Sequence, residues 1–494
     1  MRSAGILMHL SSLPSPWGIG TMGAEARGFV DFLQQAGQAV WQTLPVCPTS
    51  YGDSPYQTFS TFAENPYFID LDLLRADGLL KKEEYAGLSW GEDPAVVDYG
   101  ALYRLRFPVL RKAFARFREN LPADYDDFCW EQGDWLEDYA LFMALKEAHQ
   151  GAPWYQWEED LKRRRPEALA QAKLQYGDDI FFWKALQYLF AKQWNDLKAY
   201  ANERGIVMFG DLPIYVAMDS SDVWTHPEWF ELDENLEPVE VAGCPPDAFT
   251  ADGQLWGNPL YRWDAMKNDG YDWWVRRVGH AFTLFDKVRI DHFRGFESYY
   301  AIPGKDKTAK NGRWRPGPGL PFFRTLERRL GKLDIVAEDL GYLTEAVHRL
   351  VEESGYPGMK LLQFAFDSRE SSDYLPHRYG YHCVVYAGTH DNDTIMGWMN
   401  TAPKEDAEFA RKYLRLTKEE GANWGMMKSV WASVGDLAIV TMQDLLGLSS
   451  EARMNTPSTA SGNWRWRMLP GQASAELAER IRENMELYRR IVTD

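Results

Sequence analysis

The segment 287–296 combines a short strand pattern with charged side chains that are suited to chemistry. Val288 and Ile290 are its apolar positions, and Arg289 and Asp291 alternate with them. With this period of two, the arginine and the aspartate lie on the same face of a strand. A guanidinium beside a carboxyl group favours the ionised form, which is the form that a nucleophile needs. Asp291 is therefore a candidate nucleophile, with a structural ion pair as the alternative.

Three further carboxylates, Asp211, Glu338 and Asp391, each follow a short apolar run. Carboxylates that share one water-poor cleft cannot all ionise freely, so their repulsion raises the pKa of at least one. Glu338 has no adjacent cation and is the expected proton donor and later base. Asp391 is expected to hold sugar hydroxyls and to stabilise an oxocarbenium-like transition state, with His390 as a donor to the same ring.

Each of these positions also has a structural interpretation. Glu338 and the aspartate after it would complement the dipole at a helix N-terminus. Asp211 would serve as a helix N-cap. The run 390–393 contains Asp and His, which are ligand types of a metal site. The joint arrangement of the carboxylates at strand ends favours a catalytic cluster over these separate explanations.

The elements that must position these residues are eight strand patterns, mostly separated by helical patterns. They begin at Ile6, Ala39, Ile206, Lys287, Ile335, Lys360, Cys383 and Leu437. Eight is the number for a closed parallel barrel, whose catalytic side chains come from the C-terminal ends of the strands, while a doubly wound sheet is the main rival. We predict an α/β fold, a single (β/α)8 TIM barrel over 1–494, with a mainly helical insertion at about 71–205 and a loop and helix insertion at about 212–285.

The composition limits the partners. The net charge is −18, and the longest basic cluster is the run 162–165, so a nucleic-acid partner is not expected. The four cysteines are far apart and have no metal-ligand or redox spacing. No apolar run has the length of a signal peptide or a membrane span. We therefore expect a cytoplasmic protein with no membrane partner, no cofactor and no bound metal.

Aromatic and polar residues on two long loops, Tyr51, Tyr56, Trp256 and Asn258, are suited to stacking on a sugar chain and to hydrogen bonding with it. With these loops included, the chain resembles the 4-alpha-glucanotransferases known as amylomaltases or disproportionating enzymes, within the alpha-amylase clan. The motifs that carry this resemblance are, in order, Ser11-Ser12-Leu13-Pro14, Gly52-Asp53-Ser54-Pro55-Tyr56-Gln57, Gly210-Asp211-Leu212-Pro213, Pro245-Pro246-Asp247, Trp256-Gly257-Asn258-Pro259, Arg289 to Phe296, Ala337-Glu338-Asp339-Leu340-Gly341, Thr389-His390-Asp391-Asn392-Asp393-Thr394 and Gly462-Asn463-Trp464.

The resemblance implies transfer of a segment of an α-1,4-glucan to the 4-hydroxyl of an acceptor glucose or glucan by a retaining double displacement, in maltooligosaccharide, starch or glycogen metabolism. It implies Asp291 as nucleophile, Glu338 as general acid and base, and Asp391 as transition-state stabiliser. The residues expected to bind substrate are Tyr56, Asp211, Phe249, Trp256, Asn258, Arg289, His292, His390 and Asn463. Beside Phe249 the family often has a second aromatic residue, where this chain has Ala248.

Three rival functions remain open from the residues. An amylase-type hydrolase would use the same carboxylates, because water and a sugar hydroxyl are activated in the same way. An enolase-like enzyme would bind magnesium with carboxylates at successive strand ends. A glucan-binding protein without activity would keep the tryptophans, but it would not need the pair of Asp291 and Glu338.

Overall fold

The computed structural model describes residues 2–50, 52–246, 251–341, 343–459 and 461–491. Its strands are β1 (Ser3–Leu7), β2 (Val40–Gln42), β3 (Val207–Leu212), β4 (Glu240–Cys244), β5 (Gln254–Pro259), β6 (Lys287–Ile290), β7 (Ser298–Pro303), β8 (Arg313–Pro316), β9 (Ile335–Ala337), β10 (Gly358–Leu361), β11 (Cys383–Tyr386) and β12 (Leu437–Thr441).

The helices lie mainly between these strands. They are α1 (Ala24–Gln35), α2 (Leu71–Ala76), α3 (Tyr99–Phe117), α4 (Tyr125–Glu131), α5 (Gly133–Ala148), α6 (Glu159–Lys162), α7 (Pro166–Gln175), α8 (Gly177–Asn202), α9 (Ser221–Thr225), α10 (Trp263–Asn268), α11 (Asp272–Leu284), α12 (Leu320–Leu330), α13 (Glu345–Ser354), α14 (Ile395–Thr401), α15 (Lys404–Leu414), α16 (Ala422–Ala432), α17 (Met442–Leu445) and α18 (Ala475–Leu487). Among the helices described, none is long and apolar enough to cross a membrane.

Eight parallel strands form a nearly closed barrel in the order β10, β11, β12, β1, β2, β3, β6, β9. The backbone N–H of Ala337 at the end of β9 donates to the carbonyl of Pro357 just before β10, at 2.9 Å, which links the two outer strands. The strands are buried on both faces and therefore read as short apolar runs. The predicted barrel is confirmed, and each of the eight predicted strand patterns supplies one of its strands.

The register of neighbouring strands places the first charged residues of the site. Asp211 of β3 is paired with Arg289 of β6, so both side chains point to the same side of the sheet. The residue before Asp211 is a glycine because a Cβ atom there would lie 2.2 Å from the ring of Phe285. Gly210 thus allows β3 to pack closely against the segment that leads into β6.

Helices α2 to α8 occupy the sequence between β2 and β3. Helix α3 starts where the Asp98 side chain accepts a hydrogen bond from the backbone N–H of Ala101. Helix α8 spans 26 residues and buries apolar side chains against neighbouring helices and against β3. This part of the chain contains the long helices that cover one flank of the barrel.

A second sheet was not predicted. It is antiparallel, with the strand order β5, β4, β7, β8. Residues 212–285 were expected to contain loops and helices, but β4 and β5 also form there. Two of the six residues of β5 are exposed and two are half-buried, and the strand contains Gly, Asn and Pro, so its sequence lacks the apolar run of a buried strand. This sheet matters for the site because β5 carries Trp256 and Asn258.

Candidate active site

The C-terminal ends of the barrel strands open into a cleft of about 920 Å³. The cleft brings together most of the residues predicted for the site, namely Tyr56, Trp256, Asn258, Arg289, Asp291, His292, Glu338, His390, Asp391 and Asn463. Asp211 lies directly behind its wall, in contact with Arg289 and Tyr56. Tyr51, Ala248 and Phe249 lie outside the described residues.

Arg289 holds two carboxylates at once. One guanidinium nitrogen donates to Asp211, and the other donates to Oδ1 of Asp291 at 2.7 Å. Burial disfavours the charge on Arg289, but the adjacent carboxylates still raise its pKa well above the usual value. The Arg289 side chain is 5% exposed, while the Asp291 side chain is 28% exposed toward the cleft. Asp291 is therefore accessible to a ligand and is fixed from behind by a cation.

Asp211 is fully buried, and burial raises its pKa while the neighbouring Arg289 opposes that rise. Its Oδ2 accepts hydrogen bonds from Arg289 and from the Tyr56 hydroxyl, the latter at 2.7 Å. Its Oδ1 is buried and has no hydrogen-bond partner in the described part of the chain. A buried acceptor of this kind is costly unless a ligand satisfies it.

Glu338 follows β9 and is held by two backbone N–H groups. His292 donates to its Oε2 at 2.7 Å, and Leu340 donates to its Oε1 at 2.9 Å. Burial raises the pKa of Glu338 to about 7, against the opposing effect of Arg289, and the charge of Asp291 adds to the rise. The carboxyl group therefore exchanges a proton near neutral pH, as a group that acts first as an acid and then as a base must do.

His292 has a left-handed backbone conformation, with φ of 50° and ψ of 47°. His292 comes directly after the nucleophile candidate Asp291 in the chain, and its backbone N–H donates to Glu338. Its ring meets the ring of Trp256 edge to face, with centroids 4.9 Å apart, and burial lowers the pKa of His292 to about 4. A neutral imidazole beside an indole therefore forms one wall of the cleft.

Asp391 is more exposed than the other carboxylates, with 44% of its side chain accessible. Its Oδ1 accepts a hydrogen bond from the Asn455 side-chain amide at 2.6 Å and lies 3.4 Å from Nε2 of His390. Its backbone carbonyl accepts from Arg453 at 2.6 Å. Asn455 therefore holds the carboxylate of Asp391 and Arg453 holds its backbone, and both residues follow β12.

Aromatic rings form the wall next to His390. Tyr56 stacks on the His390 ring with a centroid distance of 5.2 Å and an interplanar angle of 14°. Trp464 lies against both rings, at 5.7 Å from Tyr56 and 5.8 Å from His390. Flat apolar faces in a polar cleft are suited to the faces of pyranose rings.

Two predicted binding residues use their amide groups within the protein. The Asn258 amide donates to the carbonyl of Val216 at 2.8 Å and accepts from Gln57 at 3.3 Å. Asn463 accepts from the backbone N–H of Thr456 at 2.9 Å and donates to Thr459. Both residues line the cleft, but these contacts hold the surrounding loops together.

Sequence analysis missed Arg453, Asn455 and Trp464 as site residues. Trp464 belongs to the motif Gly462-Asn463-Trp464, which marked this loop, but only its neighbour was selected. The residues 453–455 have no periodicity or motif that distinguishes them. Among the described residues, no group of three or more His, Cys, Asp or Glu side chains is arranged to hold a metal ion.

The chain matches the family model described as 4-alpha-glucanotransferase over residues 8–472. A 4-alpha-glucanotransferase of Clostridium butyricum is 48% identical over 485 residues, covering 98% of this chain and 100% of that protein. One of Thermus thermophilus is 47% identical over 501 residues, covering 99% of each protein. These relatives give no support to the alternative of an amylase-type hydrolase.

The solved structure of amylomaltase from Streptococcus agalactiae in complex with acarbose is also similar. It is 43% identical, superposes with a TM-score of 0.97 and covers 99% of this chain and 100% of that one. The resemblance inferred from the motifs is confirmed. The chain belongs to the 4-alpha-glucanotransferase family.

Proposed function

We propose that the chain transfers a segment of an α-1,4-glucan to the 4-hydroxyl of an acceptor glucose or glucan by a retaining double displacement. The observation that carries this proposal is the contrast between Asp291, which Arg289 holds from behind, and Glu338, whose buried carboxyl has a pKa of about 7. One group is suited to attack and the other to proton transfer.

In the first step, a carboxylate oxygen of Asp291 attacks the anomeric carbon of the donor. The bond to the glycosidic oxygen breaks, and Glu338 gives its proton to that oxygen. In the second step, Glu338 takes a proton from the acceptor 4-hydroxyl, which attacks the anomeric carbon and releases Asp291. The two inversions leave the α configuration unchanged, and Glu338 ends the cycle protonated.

Two carboxylate oxygens whose hydrogen-bonding capacity the protein does not use are suited to bind the donor sugar. Oδ1 of Asp211 is buried without a partner, and we assign it to a sugar hydroxyl. Asp391 lines the cleft, and its Oδ2 accepts no hydrogen bond within the described part of the chain, so we assign Oδ2 to a second hydroxyl beside His390. Arg289, His292 and the amides of Asn258 and Asn463 complete the wall, the asparagines mainly by holding their loops.

Transfer prevails over hydrolysis when an acceptor sugar occupies the cleft and excludes water. The rings of Tyr56, Trp464 and Trp256 are suited to stacking on sugar faces on both sides of the carboxylates. The amylomaltase of Streptococcus agalactiae holds acarbose, and we expect acarbose to bind in this cleft as well. Phe249 remains a proposed contact of the glucan.

We also propose that the protein works in the cytoplasm, without a cofactor, a metal ion or a nucleic-acid partner. The net charge of −18 disfavours polyanions. Fractionation of cells would test the location, and recovery of the protein with the membrane pellet would contradict it.

The test of the function is incubation with maltotriose alone, in the presence of a chelator. We expect glucose and longer maltooligosaccharides to form while the total number of reducing ends stays constant, because transfer exchanges bonds without consuming water. Rising reducing ends without longer products would overturn the proposal in favour of hydrolysis. Loss of activity in the chelator would overturn the metal-free mechanism.

A further inference from the structure

We propose that Asn455 is a positioning residue for Asp391, and that it acts by holding one carboxylate oxygen so that the other is directed at the substrate. The inference rests on the transition-state role proposed above for Asp391. It assigns a task to a residue that comes 64 positions later in the chain.

The contacts of Asn455 involve both residues of the His390–Asp391 pair. Its side-chain amide donates to Oδ1 of Asp391 at 2.6 Å, and its backbone N–H donates to the carbonyl of His390 at 3.0 Å. Arg453 links the backbones of the same two residues, because it donates to the carbonyls of Asp391 at 2.6 Å and of Asn455 at 2.8 Å. Both the backbone and the carboxylate of Asp391 are thereby fixed.

The two oxygens of Asp391 differ in their surroundings. Oδ1 is occupied by Asn455, with His390 at 3.4 Å. Oδ2 accepts no hydrogen bond within the described part of the chain, and the side chain is 44% exposed to the cleft. An exposed carboxylate on a loop otherwise rotates freely and pays conformational entropy when it engages a ligand. The Asn455 contact removes that freedom before substrate binds.

The segment 453–459, which carries Asn455, and the segment 461–464 are held together by hydrogen bonds. The N–H of Trp464 donates to the carbonyl of Met454 at 2.7 Å, and the Tyr99 hydroxyl of α3 donates to the carbonyl of Trp464 at 2.9 Å. Trp464 is therefore hydrogen-bonded both to helix α3 and to Met454, the residue before Asn455. These contacts fix the backbone next to Asn455, so its side chain can hold Asp391 in place.

Asn455→Ala should lower kcat for maltotriose transfer by about 10- to 100-fold, because a hydrogen bond to a charged group is lost. KM should change by less than about threefold, since the effect is expected in the transition state. The loss should be of similar size at every pH at which the native protein is active. A change confined to KM would overturn the positioning role.

Asn455→Asp tests the geometry more sharply. Two carboxylates at hydrogen-bond distance retain one proton to a higher pH than either would alone. With that proton, the new side chain donates to Asp391 as the amide does, and without it the two groups repel. Relative to the native protein, this variant should be within about tenfold at pH 5 and at least about tenfold worse at pH 8.

Other charged groups surround this pair and are common to all variants, so each rate is divided by the native rate at the same pH. They are His390 and Arg453 beside Asp391, Tyr56 from the loop after β2, and Arg289, Asp291 and Glu338 across the cleft. A constant ratio across pH for Asn455→Asp would contradict the proposal, because a merely structural asparagine gives no recovery at low pH.

A matched control is Asn202→Ala, at the end of α8, where the amide also donates to an aspartate, Asp286, at 2.8 Å. It should leave kcat unchanged. Asp391→Asn distinguishes the proposed role of Asp391 from that of Asn455. If that variant keeps full activity, the proposed role of Asp391 fails. If it loses activity while the Asn455 variants do not, only the inference about Asn455 fails.

Discussion

Two sides of the cleft hold their charged groups in different ways. Asp211, Asp291 and Glu338 lie at the ends of β3, β6 and β9, which are hydrogen-bonded neighbours in the barrel. Their positions follow from strand register. Two backbone N–H groups donate to the oxygens of Glu338. Arg289 donates to one oxygen of Asp211 and to one of Asp291, while Oδ1 of Asp211 has no partner among the described residues. We call these three carboxylates and Arg289 the strand-held group.

His390 and Asp391 follow β11 and form what we call the loop-held pair. Asn455, on the loop after β12, donates a hydrogen bond to Asp391, and Tyr56, on the loop after β2, stacks on His390. The Asp391 side chain is 44% exposed, whereas that of Arg289 is 5% exposed. The proposed bond exchange is thus assigned to residues at strand ends, and the proposed stabilisation by Asp391 to a residue that loop contacts hold in place. Variants in the strand-held group should accordingly cost more than variants around the loop-held pair.

The largest effect is expected for Asp291→Asn. Without an anionic nucleophile no glucosyl-enzyme forms, so maltotriose disproportionation should fall at least about 10³-fold, the scale seen when a covalent nucleophile is removed. Acarbose binding, measured by calorimetry, should remain. A residual rate above about one per cent of the native rate would show that Asp291 is not the nucleophile.

Asp334→Asn provides a matched control on the same strands. Asp334 precedes β9 and pairs with Lys287 at the start of β6, the opposite end of the barrel from the cleft. Its side chain is 57% exposed. The transfer rate should stay near the native value, because this aspartate–cation pair is far from the reacting atoms.

The next effect concerns proton transfer. Glu338→Gln should lower the rate on maltotriose by about 10²- to 10⁴-fold, because the departing oxygen is not protonated. With α-glucosyl fluoride as donor the leaving group needs no proton, so a burst of fluoride should appear at nearly the native rate. Absence of the burst would show that Glu338 serves something other than leaving-group protonation.

A smaller effect is expected when the bridge inside the strand-held group is weakened. Arg289→Lys keeps the charge, but an ammonium does not span Asp211 and Asp291 as the guanidinium fork does. We expect kcat/KM to fall about 10- to 100-fold. The control Arg349→Lys changes an exposed ion pair on α13 and should have no effect. Equal rates for both variants would mean that the bridge has no role in the reaction.

The same contrast explains how far sequence analysis reached. The strand-held group could be predicted because period-two alternation in 287–291 puts Arg289 and Asp291 on one face, and the count of eight strands puts their ends together. No further information was needed to place Asp211 and Glu338 beside them. Local pattern and global topology agree on this side of the cleft.

The loop-held side was less predictable. The contact between Asn455 and Asp391 depends on the path of a loop that has no periodicity. Asn258 and Asn463 were selected for their hydrogen-bonding groups, yet protein partners use those groups. The antiparallel sheet that carries Trp256 was missed for a similar reason, because its outer strands β5 and β8 are partly exposed and lack a clear apolar face.

The smallest effect is on stability, and it reports the burial of Glu338 directly. In the folded chain its carboxyl has a pKa of about 7, whereas the ordinary value is 4.5. Between these two values the folded state keeps a proton that the unfolded state has released. The contribution of Glu338 to the free energy of unfolding therefore falls as the pH rises from 4.5 to about 7, and it is constant above that pH.

Glu338→Gln removes this contribution. The native Tm should consequently drop by about 2–3 °C more than the Tm of the variant between pH 5 and 7.5, when both are measured by calorimetry. The dependence of Tm on pH is compared, not a single Tm, because the substitution also changes Tm at every pH. A glutamine has one side-chain oxygen, whereas Glu338 accepts from the N–H of His292 with one oxygen and from that of Leu340 with the other. Other buried carboxylates with raised pKa values, such as Asp222 and Asp444, contribute equally to both proteins. Parallel curves would show that Glu338 is ionised throughout this range, and the assignment of the acid would then have to move away from the strand-held group.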